Sequence, residues 1–144
     1  MSVASKVKEF IESCPFLEEF EQACFPVVNL NVLEENATMY SIEETPADPI
    51  VKNYTNGDSV RQYVFSLCSR ELYGPAENEK TTAFYEKFAD WLEECTRTGN
   101  LPVLSGQLKS KSVRATTNGY LYDSEGTKCQ YRIQCQFVYF KKRR

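Results

Sequence analysis

Residues 46–73 constrain this chain more than any other stretch. Pro46 and Pro49 hold the chain extended and out of any ladder, since proline donates no N–H and keeps its predecessor out of the helical region. Asn56-Gly57-Asp58 follows, a run of residues that tolerate positive φ in a turn. From Val60 to Glu71 the chain then alternates. Tyr63, Phe65 and Leu67 fall on one side, and Gln62, Ser66 and Arg70 on the other. A long strand with this pattern buries one face and leaves a polar face available.

The remaining elements fall into place around that strand. Val3, Val7, Phe10 and Ile11 form a helical stripe over 3–13, stopped before Pro15. Phe16, Leu17 and Phe20 suggest a further helical turn. Residues 25–33 have strand composition, as do 39–43, and Glu34-Glu35-Asn36 between them reads as a hairpin turn. The spacing of Phe84, Phe88, Trp91, Leu92 and Cys95 predicts a helix over 77–98, with Gly99 as its left-handed cap. Strands are expected over 110–122 and 128–140, joined by a hairpin at Asp123-Ser124-Glu125-Gly126. Strands in runs, broken by one long helix, predict a single α+β domain over 1–144. Its mainly antiparallel sheet of about four to five strands is covered by helices 3–13 and 77–98. A chain of 144 residues can bury about 68–70% of its extended surface, enough for a core without staples.

The six cysteines contain no C-x-x-C pair. Cys129 and Cys135 would lie about 20 Å apart on one strand, well beyond disulfide reach. Cys95 continues the helical stripe and Cys135 sits between Ile133 and Phe137, so the thiols are expected in the core. No stretch approaches the length of a membrane span, and the first ten residues lack a signal-peptide core, which predicts a cytoplasmic protein.

A net charge of −3 hides an asymmetry. Residues 1–48 carry ten acids against two lysines, a net −8, while residues 107–144 carry nine bases against two acids, a net +7. Solvated surface accounts for both; the alternative is that the acidic part of one copy meets the basic part of the next. On that alternative Arg61, Arg114 and Arg132 on polar strand faces, with Glu43, Glu44 and Asp48, are the candidate subunit contacts. Lys141–Arg144 reads as a basic, frayed C-terminal tail able to touch phosphates.

Catalytic signatures are missing. The chain has no histidine, which removes Ser-His-Asp and Cys-His activation and the usual catalytic zinc sets. No glycine-rich phosphate loop is present, and the adjacent pairs Glu18-Glu19, Glu34-Glu35, Glu43-Glu44 and Glu93-Glu94 point apart on any regular element. No catalytic residue, cofactor or metal is expected.

Five segments in order, SRELYG, FYEKFADWLEE, TGNLPVL, TNGYLYD and RIQCQFVYF, resemble a family of small proteins from siphophages and prophages of Gram-positive bacteria. That family comprises minor structural, tail-terminator-like proteins, and the resemblance spans roughly residues 15–140. It implies a non-enzymatic tail terminator or head–tail joining subunit that forms a ring on the tail tube. The implied partners are further copies of itself, with a hexamer as one stoichiometry and closure on the tail as one route, together with the tail tube and head-completion connector proteins. DNA would touch it only in passing through the ring. Assembly in the host cytoplasm and residence in the virion tail follow from the same resemblance. Some relatives carry a chloramphenicol-resistance label, but the acetyltransferase for that drug depends on a histidine this chain lacks. Two other readings compete: a small-molecule-binding domain or enzyme using Tyr and Glu side chains, and a nucleic-acid-binding protein using the basic C-terminal end.

Overall fold

In a computed structural model the protein is described over residues 2–14, 28–30, 39–72, 75–125 and 128–143. Helix α1, Val3–Glu12, begins where the Ser2 hydroxyl accepts the Ser5 backbone N–H at 3.1 Å, satisfying one of the donors a helix start leaves free. Its buried residues Ala4, Val7, Phe10 and Ile11 form one stripe. Helix α2, Pro75–Thr98, ends at Gly99, whose φ of +78° supplies the left-handed cap.

Seven strands form one sheet: β1 Val28–Leu30, β2 Met39–Glu44, β3 Ile50–Asn53, β4 Ser59–Leu72, β5 Leu108–Ala115, β6 Tyr120–Glu125 and β7 Lys128–Lys141. The main order is β1-β2-β4-β7-β5. β3 lies beside the start of β4, and β6 beside the start of β7. β4 and β7 pair over fourteen residues, from Ser59↔Lys141 to Leu72↔Lys128. This is the expected single α+β domain with a mainly antiparallel sheet, carrying more strands than the four or five foreseen.

Phe65 and Leu67 on β4, Ile133, Cys135 and Phe137 on β7, Ile42 on β2 and Val113 on β5 share one face of the sheet. The two helices close over that face. Phe84, Tyr85, Phe88, Leu92 and Cys95 of α2 join Val7, Phe10 and Ile11 of α1 in one core, and Phe10 stacks on Trp91 at 4.9 Å. Cys14, Cys68, Cys95 and Cys135 are free, buried thiols, as expected; the side chains of Cys24 and Cys129 lie outside the described residues.

Four local expectations are corrected. β1 runs parallel to β2, Val28↔Tyr40 through Leu30↔Ile42, and not antiparallel as the arms of the hairpin expected at 34–36 would. That turn and the helical turn at 16–20 lie outside the described residues. The loop after Pro46 is not unpaired, because β3 joins β4. Pro49 has no N–H to give but still accepts one, taking the Gln62 N–H at 2.9 Å. Gly57, at φ +96°, makes the turn between them. The predicted strand 110–122 is broken into β5 and β6. Thr116 N–H and the Thr117 hydroxyl take over the bonds to Gln134, at 2.7 and 3.0 Å, and lead the chain out of the ladder.

The break is set by packing against α2. A Cβ on Gly119 would lie 2.4 Å from the Tyr85 Cβ, too close for any side chain to exist there without movement. The Tyr85 hydroxyl is in turn bonded to Ser69 at 2.6 Å in the core. Gly119→Ala should therefore destabilise the fold by about 1–3 kcal/mol, the cost of overpacking a filled site. An unchanged urea midpoint would show that this loop does not press on α2.

The fourth correction concerns the C-terminal tail. Lys142 donates its N–H to Gln107 O at 2.9 Å, and Arg143 donates its N–H to Asp58 Oδ1 at 2.8 Å. The basic residues 141–143 are tied into the sheet and its turns, not frayed; Arg144 lies outside the described residues.

Candidate functional site

The face of the sheet opposite the helices carries the alternate residues of β4 and β7, expected from their polarity to stand open. Much of it is instead committed to bonds within the chain. Gln62 Nε2 donates to Asp48 O at 2.6 Å, Gln136 Nε2 donates to Gln62 Oε1 at 2.6 Å, and Arg114 Nε donates to Gln136 Oε1 at 3.2 Å. One hydrogen-bonded row thus crosses from the β2–β3 connection through β4 and β7 to β5. Such a row holds the strands in register and withholds its polar groups from a partner.

Farther along the same face, Arg132 Nη2 meets Glu43 Oε2 at 2.7 Å. The Cys68 thiol donates to the same carboxylate oxygen at 2.8 Å, and the Arg132 guanidinium lies 3.8 Å from the centre of the Tyr122 ring. Cys68 is buried beneath this group. Burial, then its bond to Glu43 and that carboxylate's charge, push the thiol pKa well up, and nearby Arg132 offsets only part of this. Cys68 is therefore a neutral donor, not a thiolate nucleophile.

Two of the expected subunit contacts, Arg132 and Glu43, are thus brought together inside one chain. Arg114 stays exposed beyond its bond to Gln136. Arg61 donates from Nε to Ser59 Oγ at 3.1 Å. Asp48 is exposed and accepts the Ile50 N–H at 3.0 Å, a local turn contact. Glu44 is exposed near Tyr63 at a groove of about 360 Å³ bounded by Pro46 and Pro49. Burial, followed by the Glu44 charge, raises the Tyr63 pKa, so the phenol stays protonated and offers a proton donor but no base. Half of the acids counted in the first third, Glu18, Glu19, Glu21, Glu34 and Glu35, lie outside the described residues.

Sequence reasoning missed the edges of the sheet. On β6, Tyr120, Leu121 and Tyr122 are 39%, 43% and 56% exposed, three consecutive large side chains on a strand that among the described residues pairs only with β7. The edge at β5 is defended. It carries Lys109 and Lys111, it has a bulge between Ser110 and Ser112, and the Thr96 hydroxyl of α2 bonds both the N–H and the carbonyl of Val113. Charges, bulges and covering groups are how sheets block unwanted edge pairing. β6 has apolar bulk in place of lysines. The signal was present as TNGYLYD, but inside a supposed long strand its edge position could not be read.

A third surface lies along α2. Glu86, Asp90 and Glu93 recur at i, i+4 and i+7 and line a groove of about 470 Å³ with Ala115–Asn118. Like charges at this spacing cost a helix a few tenths of a kcal/mol each.

Among the described residues, no group of three or more Cys, Asp or Glu side chains is placed to hold a metal ion. Nor is any described helix long and apolar enough to cross a membrane. No known protein-family model matches this chain, and no curated protein matches it.

Proposed function

We propose that this protein is a non-enzymatic structural subunit of a siphophage or prophage tail: a tail-terminator or head–tail joining protein that forms a ring at the end of the tail tube. The resemblance over residues 15–140 supplies the role. The observation that carries the assembly part is the exposed Tyr120-Leu121-Tyr122 edge of β6, set against the guarded edge of β5. An exposed apolar edge is a template for another chain, and a second copy is the occupant proposed here. In a ring this contact is heterologous, one patch of each copy meeting a different patch of the next. Arg61, Arg114, Glu44 and Asp48 remain as rim contacts, each worth about 0–1 kcal/mol when exposed. The tail tube and the head connector are the outer partners in this reading, and DNA passes through the ring.

The absence of histidine from the sequence and the protonated Tyr63 phenol support the non-enzymatic part. The competing small-molecule reading has its best foothold at Tyr63 and Glu44.

The test uses tail tubes assembled without a terminator. Wild-type protein should arrest tube growth and give capped tubes by electron microscopy. Leu121→Lys, a surface change on β6, should leave overlong uncapped tubes while keeping the wild-type melting temperature. If wild-type protein leaves tube length unchanged, the terminator role is wrong. If the variant caps as well as wild type, the contact lies elsewhere.

A further inference from the structure

We infer that the end of the sheet where β5 begins and β7 finishes binds the phosphodiester backbone of double-stranded DNA. The inference stands on local chemistry and does not need the ring. Lys109, Lys111 and Lys142 line a groove of about 650 Å³ whose wall includes Phe140, and all three lysines are exposed. Phe140 also borders a second depression of about 350 Å³, shared with Tyr54 and the 55–58 turn. Over the Tyr54 ring, at 5.1 Å from its centre, lies the Lys52 ammonium. Four cations therefore stand around two depressions that share Phe140 as a wall, three at the first and Lys52 beside the second.

These cations rest on ordered backbone. Lys109 sits in the β5–β7 ladder opposite Phe140, and Lys142 is fixed by its bond to Gln107. The Arg143 stem packs so closely on Gly57 that a Cβ there would lie 2.3 Å from its Cδ, which pins the basic end against the turn. A site assembled before its ligand arrives loses less entropy on binding. The chemistry favours phosphate. Lysine ammonium groups are point charges suited to phosphate oxygens, and the exposed Tyr54 ring, with a cation on one side and the tilted Phe140 ring at 6.2 Å, is a poor platform for stacking bases. Duplex backbone contact is what remains.

Two acidic features weigh against the site. Asp58 borders the second depression, but its oxygens accept the Arg143 N–H at 2.8 Å and the Asn56 side-chain N–H at 3.0 Å. The acidic stripe Glu86, Asp90 and Glu93 lies at the Ala115 end of β5, about 13 Å along the strand from Lys111 and about 20 Å from Lys109. Both distances exceed the screening length of about 8 Å at physiological salt, so the overall negative charge does not silence the corner. The stripe could attract the lysines of another copy, but both surfaces are concave and neither fills the other. A ridge of phosphates is convex.

The experiment follows a fluorescent duplex of about 20 base pairs by anisotropy over a salt series, with single-stranded DNA and heparin as parallel probes. Three to four phosphate contacts give a slope of log K against log salt of about −3. Lys109→Glu/Lys142→Glu should bind at least tenfold more weakly with a slope shallower by about 2. Its melting temperature should match wild type, since both side chains are exposed. Equal binding by variant and wild type, or no duplex binding by wild type at low salt, would overturn the inference. So would preference for heparin or single strands over duplex, or a lysine-dependent self-association that duplex does not displace.

Discussion

Phe88→Ala will lose about 3–5 kcal/mol of stability, the usual cost of emptying a fully buried aromatic site. Phe88 is completely enclosed, with its ring 5.9 Å from Trp91 and 6.3 Å from Phe84. Trp91 in turn stacks on Phe10 of α1, so the ring sits where α2, α1 and the sheet meet. Its removal opens a cavity that neither helix can fill, because α2 is stitched to β5 through Thr96 and cannot sink toward the sheet. Against a total stability of about 5–15 kcal/mol this is a large fraction. For a chain of this size it should lower the melting temperature by about 10–20 °C. Phe88→Leu keeps most of the volume and should lose under about 1.5 kcal/mol. Similar midpoints for alanine and wild type in thermal and urea unfolding would mean that α2 does not bury this face.

Arg132→Ala will be the most costly change on the opposite face, at about 2–3 kcal/mol. Breaking a fully buried ion pair costs about 3–5 kcal/mol, because the surviving charge is stranded. Here the side chains of Arg132 and Glu43 keep 20% and 28% of their exposure, so water recovers part of that. The variant also loses the cation–π contact with Tyr122, worth about 0.5–1 kcal/mol at an accessible site. Glu43→Gln should cost less, since the amide oxygen still accepts from Cys68. A double-mutant cycle between Arg132→Ala and Glu43→Gln should return a coupling of at least about 0.5 kcal/mol. Zero coupling would show that the pair does not form. The consequence for assembly experiments is direct: charge reversal at Arg132 perturbs folding and cannot by itself report a subunit contact.

What the sequence made legible were elements with enough period to overdetermine their environment. The stripes of α1 and α2 and the alternation along β4 and β7 each repeat often enough to identify their buried face. Gly57 and Gly99 were readable because a turn and a helix cap both need positive φ. The direction of β1 was not readable, since three residues carry no orientation signal. The break at 116–119 was hidden because Tyr85, more than thirty residues earlier, sets it from across the core. The pairing of two of the candidate contacts with each other was hidden for a related reason. Net charge by segment counts Glu43 and Arg132 as opposite poles of the molecule. The order β2-β4-β7 lays them diagonally across one strand, where they neutralise each other.

The long pairing of β4 with β7 also governs how the chain is made. Its partners are separated by 56 residues at Leu72 and Lys128 and by 82 at Ser59 and Lys141, so little of this contact is local. Folds dominated by such distant pairings form slowly, because loop entropy is lost before the contacts repay it. β7 is also the last of the described strands to leave the ribosome. Between Leu72 and Lys141 the nascent chain waits about 3–14 seconds at ordinary elongation rates, with Phe65 and Leu67 exposed and a long ladder edge vacant. Of the described strands the one that completes this ladder arrives last, and until then β4 offers the kind of unpaired edge that makes incompletely folded chains prone to aggregate.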